Sequence, residues 1–355
     1  MLADGTYAIP STGVTFATAG VTLRSESGNS EAVVLDGAYS TDEVLRVTAS
    51  NTTIAELTVT RAVNHPIHVY PAATTSITGM RFYRVRFIDG GEQFLKINHS
   101  SNGAYPDDGT VECSYFEMTD LGRPHVERTP GGCYTGGIDG HGSRGWVVRL
   151  NTFKNIYCAG EGLAEHAVHF WTGSRDTLVE DNLMLNCARG VGFGLGNATA
   201  GRTYPDSPYP SVTNAGHYDG IVRNNFIWAN HDYFDTGIGL EQAPGVTVLH
   251  NSVVSTQGTS FFSSIDYRFS TPGAVVRNNL TVRITARDGA TATADHNLES
   301  TPTTLFADFA NGDLHLKAAA SQAVDQGATD AKAGLDIDGL AHDNGAPDLG
   351  AHEYR

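Results

Sequence analysis

The chain has 355 residues, of which 40 are glycine and 17% are charged, and its formal charge is −16. A chain this long can bury a large core without metal or disulfide staples, and few charges with many glycines suit a turn-rich β protein better than a helical bundle. There is no basic run, which excludes duplex nucleic acid as an expected partner, and no apolar stretch long enough to span a membrane. The acidity also weighs against an anionic polymer as substrate, unless a local basic cluster or a bound cation reverses it.

Taken in chain order, the predicted elements form two interleaved families. Met1 stands directly before "LADGTY", which already reads as folded sequence. We therefore expect a trimmed chain with Met1 added and a signal peptide removed; a gene that starts at this methionine would contradict this. The first family is a short β-run followed by a further apolar pair: "TIAELTV" (53–59), "MRFYRVRF" (80–87), "TVECSYF" (110–116), "VVRLNTF" (147–153), "LVEDNLM" (178–184), "IVRNNFI" (221–227), "TVLHNSV" (247–253), "VVRNNLT" (275–281) and "TADHNLE" (293–299). The last six share an Asn: Asn151, Asn182, Asn225, Asn251, Asn279 and Asn297. Asn is poor inside a strand but suits a sharp bend, where it tolerates the left-handed conformation and bonds its neighbours. One Asn per turn predicts a stacked ladder. The Asn-to-Asn intervals run from 18 to 43 residues, which excludes a strict solenoid and fits coils sharing one core but carrying different loops. The longest interval holds "NATAGRTYPDSPYPSVTNAGH" (197–217), an inserted loop by its Pro, Gly and Ser content.

The second family is "PIHVY" (66–70), "FLKINHS" (94–100), "GGIDGHG" (136–142), "HAVHFW" (166–171), "GVGFGLG" (190–196), "GIGLEQ" (237–242) and "SSIDYRF" (263–269). Each coil then has at least two strands, with little helical periodicity between them. This pattern resembles the right-handed parallel β-helix of the pectate-lyase-like superfamily: all-β and single-stranded, with inserted loops. The likeness runs over about residues 15–315, and the tail "DIDGLAHDNGAPDLGAHEYR" resembles the closing segment (about 316–355) of exported bacterial β-helix proteins. The resemblance implies one β-helix domain over 1–355, secretion or a periplasmic location, and a polysaccharide or oligosaccharide partner. The superfamily holds lyases, hydrolases, epimerases and adhesins, so fold narrows function without settling it.

Strand side chains alternate between faces. Placing Ile67, Leu95, Ile138, Val168, Val191, Ile238 and Ile265 inside, with Val69, Ile97, Phe170, Phe193, Leu240 and Tyr267, leaves two outward columns. One reads His68, Lys96, Asp139, His169, Gly192, Gly239, Asp266; the other reads Asn98, His141, Trp171, Gly194, Glu241, Arg268. Glu165 and His166 lie where one rung begins. A merely solvated face would be Thr, Ser, Asn and Lys, and an adhesive one would repeat similar residues. Here acids, bases and an indole converge, which is the default signature of a site. The bare glycines predict a floor for a flat polymer, and Trp171 suits the C–H face of a sugar.

The chemistry expected is β-elimination on a uronate-containing polysaccharide. It needs a cation to neutralise the carboxylate, a base for the C5 proton and an acid for the leaving oxygen. Arg268 or Lys96 is expected to neutralise, or a cation held by Asp139, Glu241 or Asp266. His169 or His141 is expected to act as base, or Lys96 if its pKa is lowered. The relatives implied by the resemblance often use calcium, which is one cofactor to test; a transition ion on Asp139, His141 and His169 is the other. The runner-up is a glycoside hydrolase. Asp139 lies about 14 Å from Glu241 and about 19 Å from Asp266 by rung count, too far for a carboxyl pair, which leaves Glu241 with Asp266. A non-catalytic glycan-binding or adhesion β-helix is the third reading. Oligomeric state is not readable.

Lesser features complete the reading. "GFGLG" has no helix after it and is not a phosphate loop. "NHS" (98–100) and "NAT" (197–199) match glycosylation acceptors, without meaning in a bacterial-looking chain. The Asp-rich "DIDGLAHDNG" lacks an EF-hand pattern and reads as a solvated acidic tail. Cys113, Cys133, Cys158 and Cys187 have no metal-type spacing and allow three pairings; buried free thiols and one disulfide are both open, the latter suiting an exported chain.

Overall fold

The computed structural model describes residues 1–127, 132–160, 162–196, 201–342 and 345–355. The Asn at 197 and the acceptor motif it begins lie outside them. The chain packs as two compact units, Met1–Phe170 and Trp171–Arg355. No α-helix occurs among the described residues, and no helix is long and apolar enough to cross a membrane.

Each unit is a stack of coils with three short strands per coil, and like strands pair in parallel from coil to coil. In the first unit one coil runs Val33–Asp36, Glu43–Val47 and Thr53–Ala55, and the next runs Thr58–Thr60, His65–Val69 and Arg81–Tyr83. In the second unit a coil runs Phe226–Ala229, Thr236–Glu241 and Thr247–Leu249, and the next runs Ser252–Ser255, Ser263–Arg268 and Ala274–Arg277. We call the three sheets first, second and third in that order. This is a parallel β-helix in each unit, as expected from the sequence. The third strand per coil, beyond the minimum of two expected, comes from a break inside the first family. The residue before each Asn takes a left-handed conformation: Leu150 (φ 58°), Asp181 (55°), Asn224 (54°), His250 (50°), Asn278 (58°) and His296 (49°). Glu56, Arg84 and Cys113 do the same in the earlier coils at φ 52–56°. It is this residue, and not the ladder Asn, that turns the chain from the third sheet into the first.

The Asn ladder forms. In the second unit the Oδ1 of Asn225 accepts the N–H of Asn182 (3.0 Å), Asn251 accepts that of Asn225 (3.2 Å), Asn279 that of Asn251 (2.9 Å) and Asn297 that of Asn279 (3.0 Å). In the first unit Asn151 accepts the N–H of Ser114 (2.9 Å), whose hydroxyl accepts that of Val85 (3.1 Å). The side chains thus satisfy backbone donors that the turn would otherwise leave buried and unpaired.

The core sits inside the coils. Every residue assigned inward is buried, from Ile67 to Ile265 and from Val69 to Leu240 at 0%, with Tyr267 at 8%. On the first sheet Phe87, Phe116 and Phe153 stack with centroids 4.3 and 4.5 Å apart, one ring per coil. The C-terminal segment departs from the solvated tail expected of it. Leu305, Phe306, Leu314, Leu316 and Leu349 pack on Phe226, Trp228, Val254 and Leu280, which the first sheet of the second unit presents outward. Three of its acids are buried, Asp336 and Asp348 at 0% and Glu353 at 1%, while Asp338 stays exposed. Asp336 accepts backbone N–H groups from Asp338, Leu340 and Glu353 at 2.7–3.0 Å. Carboxylates that look solvated in sequence thus close turns. Cys133 and Cys158 form a disulfide, while Cys113 (exposed) and Cys187 (buried) are free.

Candidate active site

The second sheet of the first unit aligns five rungs of polar side chains. Register places Arg46 beside His68, His68 beside Lys96 and Lys96 beside Asp139. The strand His166–Trp171 follows Gly136–His141 in the same sheet, and His169 Nδ1 lies 3.5 Å from Asp139 Oδ1. The column His68, Lys96, Asp139, His169 is therefore in place, and Arg46, unassigned from sequence, extends it. The alternation that buries Leu45 and Val47 points Arg46 outward and was the signal for it.

These groups are sheltered, with Lys96 6%, Asp139 5% and His169 2% exposed. Lys96 donates to Asp139 Oδ2, and His141 Nε2 lies 3.0 Å from the same oxygen and 3.1 Å from Lys96 Nζ. Burial works against the Lys96 charge, but Asp139 and its neighbours more than offset it and hold the ammonium above the ordinary lysine value. This is the opposite of the lowered pKa on which a base role for Lys96 depends. Burial likewise opposes an ionised Asp139, yet Lys96 and His141 hold its carboxyl well below the usual range. Burial is also the largest influence on His141, and it lowers that imidazole despite Asp139. His141 is consequently neutral at neutral pH.

One rung back, His68 Nδ1 donates to Glu43 Oε1 at 2.6 Å, and Arg46 donates to Glu43 Oε2. Burial pushes the Glu43 carboxyl up, but His68 and Arg46 outweigh it and bring it to about 2. His65 Nδ1 lies 2.8 Å from the Gln93 carbonyl, and burial, with His68 and Lys96 nearby, lowers this ring to about 3. Several buried polar atoms on these rungs have no partner among the described residues: His68 Nε2, both amide atoms of Gln93 and Asn98 Oδ1. Glu43, His65 and Gln93 escaped sequence reading because their role comes from the neighbouring coil.

Glu165 and His166 join His169. Gly136 on the preceding rung makes room, since a side chain there would meet the Glu165 Cβ at 2.9 Å. The His166 and His169 rings lie 4.6 Å apart, and the ligand atoms of Glu165, His166 and His169 all fall within 4.8 Å of one another. The metal set expected from sequence, Asp139 with His141 and His169, instead has the Lys96 ammonium in its midst. A second possible set, Asp336, Asp338 and His352, lies in the C-terminal segment.

In the second unit Gly192, Gly239 and Asp266 share one register and Glu241, Arg268 and Arg287 the other. Gly192 and Gly239 are buried, so they do not form the exposed floor expected of them. Gly194 lies past the strand Arg189–Phe193, with φ +84°, and a Cβ there would stand 1.8 Å from the Glu241 carbonyl oxygen. It is a turn glycine at a close backbone approach. Asp266 accepts two hydrogen bonds from Arg287, at 2.9 Å from Nε and 2.8 Å from Nη2, and Arg268 Nε donates to Asp288 at 2.7 Å. Glu241 accepts the Gly196 N–H. Glu241 and Asp266 are thus each engaged separately rather than poised as a hydrolytic pair, and Arg268 is not an unpaired cation. These pairings correct the expected neutralising roles of Glu241, Asp266 and Arg268. Trp171, the first residue of this unit, is partly exposed, and its carbonyl accepts the Ser174 hydroxyl at 2.9 Å.

No protein-family model and no curated protein matches the chain. Among solved structures it is similar to pectate lyase Pel9A, at 17% identity and a TM-score of 0.54, over 99% of this chain and 86% of that one. It also matches PfbA, a surface adhesin of Streptococcus pneumoniae, at 13% identity and a TM-score of 0.49, over 84% of this chain and 81% of that one. An alginate lyase from Paenibacillus sp. str. FPU-7 matches at 13% identity and a TM-score of 0.40, over 83% and 90% of the two chains. At 17% identity the likeness to the pectate lyase concerns the fold alone, and with the strand register it establishes a parallel β-helix in each unit.

Proposed function

We propose that the protein is an exported polysaccharide lyase that cleaves a uronate-containing glycan by β-elimination. The observation that carries the reading is the buried Lys96–Asp139–His141 cluster on the second sheet, with His68 and His169 on the flanking rungs. A structural face has no use for a lysine and a carboxylate both more than nine-tenths buried beside a neutral histidine, because burying charge costs more than an apolar pair of the same volume. Perturbed groups of this kind cluster at functional sites.

In this reading Asp139 takes the Nε2–H of His141, which leaves the lone pair on Nδ1. That nitrogen removes the C5 proton, electrons form the C4–C5 double bond, and the C4–O bond breaks. His68, oriented at Nδ1 by Glu43 as a carboxylate orients a catalytic imidazole, enters the step as the imidazolium and gives its Nε2 proton to the leaving oxygen, which leaves the ring neutral with its proton on Nδ1. Lys96 lies between the two histidines and holds Asp139 ionised. The Cys133–Cys158 disulfide suits an oxidising compartment, and labelling of more than two thiols in protein isolated from its own cells without reductant would argue against export.

The test is ultraviolet absorbance of reactions on a panel of uronate polymers, with and without chelator. A rise marks the double bond and supports elimination. New reducing ends without absorbance mean hydrolysis. Binding with neither product means a glycan-binding module; either result overturns the proposal.

A further inference from the structure

We infer that Glu165, His166 and His169 form a binding site for a divalent transition ion of the zinc type, beside the Lys96–Asp139 pair. The starting point is a mismatch of charge. Elimination needs a cation opposite the substrate carboxylate, yet the cations aligned on the second sheet are matched to acids: Arg46 to Glu43 and Lys96 to Asp139 in the first unit, Arg268 to Asp288 and Arg287 to Asp266 in the second. With these cations matched, a bound ion is the natural source of a further positive charge on this sheet.

The donors choose the ion. Two imidazoles and one carboxylate suit zinc or a neighbouring transition ion, whereas calcium takes about six to eight oxygens. His166 is 8% and His169 2% exposed, so both rings are already taken from water. Glu165 Oε2 lies 3.9 Å from His169 Nδ1 and 4.0 Å from His166 Nδ1. Bonds of about 2.0–2.1 Å to a tetrahedral ion set ligand separations near about 3.3 Å, so side-chain adjustments of roughly 1 Å close the site. Asp139 Oδ1, 3.5 Å from the same His169 nitrogen, adds a further negative charge beside the ion. Three protein ligands leave a fourth position for a substrate oxygen, the pattern of catalytic rather than structural sites.

The other set does not compete. Both Asp336 oxygens accept backbone N–H groups. His352 Nδ1 accepts the Leu316 N–H at 3.0 Å, which puts the ring proton on Nε2, the atom facing Asp338.

The metal's role in catalysis rests on the lyase reading, but its binding is tested separately. Chelator-treated full chain is titrated with Zn2+ and with Ca2+ by calorimetry, and with Co2+ by visible absorbance. The expected result is one Zn2+ per chain, Co2+ bands of a four- or five-coordinate nitrogen–oxygen site, and at least tenfold weaker binding in Glu165→Gln and in His166→Gln. Asp338→Asn should bind as the parent does, and circular dichroism confirms that each variant is folded. Absent stoichiometric Zn2+ binding, equal binding by the Glu165 and His166 variants, or equal competition by Ca2+ would each overturn the site. Bound Zn2+ without unsaturated product on any polymer keeps the site and removes the elimination reading. Unsaturated product from a chain that binds no Zn2+ removes the site alone.

Discussion

Asp139→Asn in chelator-treated protein is the sharpest test of the buried cluster. The carboxylate holds a lysine that is 6% exposed. Its removal leaves the ammonium in the interior beside His141 Nε2, 3.1 Å away. Breaking one side of a buried pair typically costs about 3–5 kcal/mol, because the other charge stays uncompensated. That is a large share of a native stability of about 5–15 kcal/mol. Lys96→Met should cost less, about 1–3 kcal/mol, because Asp139 keeps His141 at 3.0 Å and His169 at 3.5 Å, and a protonated imidazole can replace the ammonium. The double variant Lys96→Met/Asp139→Leu should return to within about 1 kcal/mol of the parent, since an apolar pair is often no worse than an ionic one. Urea unfolding midpoints for the parent, Lys96→Met, Asp139→Leu and the double variant close the cycle, with Asp139→Asn as the isosteric comparison. Single variants costing less than about 1 kcal/mol each, or a double variant whose loss is the sum of the singles, would refute the argument that these two charges depend on each other.

Four further outcomes follow from the same structure. Asn251→Ala removes acceptors for the N–H and Nδ2 of Asn225 and donors to Val222 and Leu249, all buried. It should lower stability by about 2–4 kcal/mol in urea unfolding, whereas exposed Asn311→Ala should change it by less than about 0.5 kcal/mol. Cys133→Ser/Cys158→Ser opens a loop of sequence separation 25 that carries Asp139 and His141; chain entropy predicts a loss of about 3 kcal/mol, read as a lower thermal midpoint. Burial raises the Asp348 carboxyl to about 6. A raised acid contributes stability below its unfolded value and loses it as pH rises through the folded one. The difference in stability between the parent and Asp348→Asn should therefore fall by about 2–3 kcal/mol from about pH 4 to about pH 6, and a flat difference would contradict it. His68→Ala and Glu43→Gln should both lower kcat on a uronate polymer by about 100-fold or more with little change in KM; equal losses in KM would make them substrate-holding residues instead.

The sequence by itself determined the repeat. Strand alternation and one Asn per turn place apolar residues inside and Asn at a fixed bend, and these are local consequences of side-chain period and turn chemistry. Hence Lys96, Asp139 and His169 could be placed on the outward face, and Val168 inside, from pattern alone. What pattern could not supply was which partner each outward residue finds. Arg268, Asp266 and Glu241 looked available because Asp288, Arg287 and Gly196 lie elsewhere in the sequence. His166 and His169, three apart, should face opposite sides of a regular strand; only the packed rung beside Gly136 brings their rings together with Glu165. Lys96 looked like a base awaiting a lowered pKa, and the opposite shift comes from a carboxylate 43 residues away. The acidic tail looked solvated because its burial depends on an apolar face made by Phe226, Trp228 and Leu280. Local periodicity is written along the chain, whereas charge pairing and burial are set by which coils stack, and that is decided only in three dimensions.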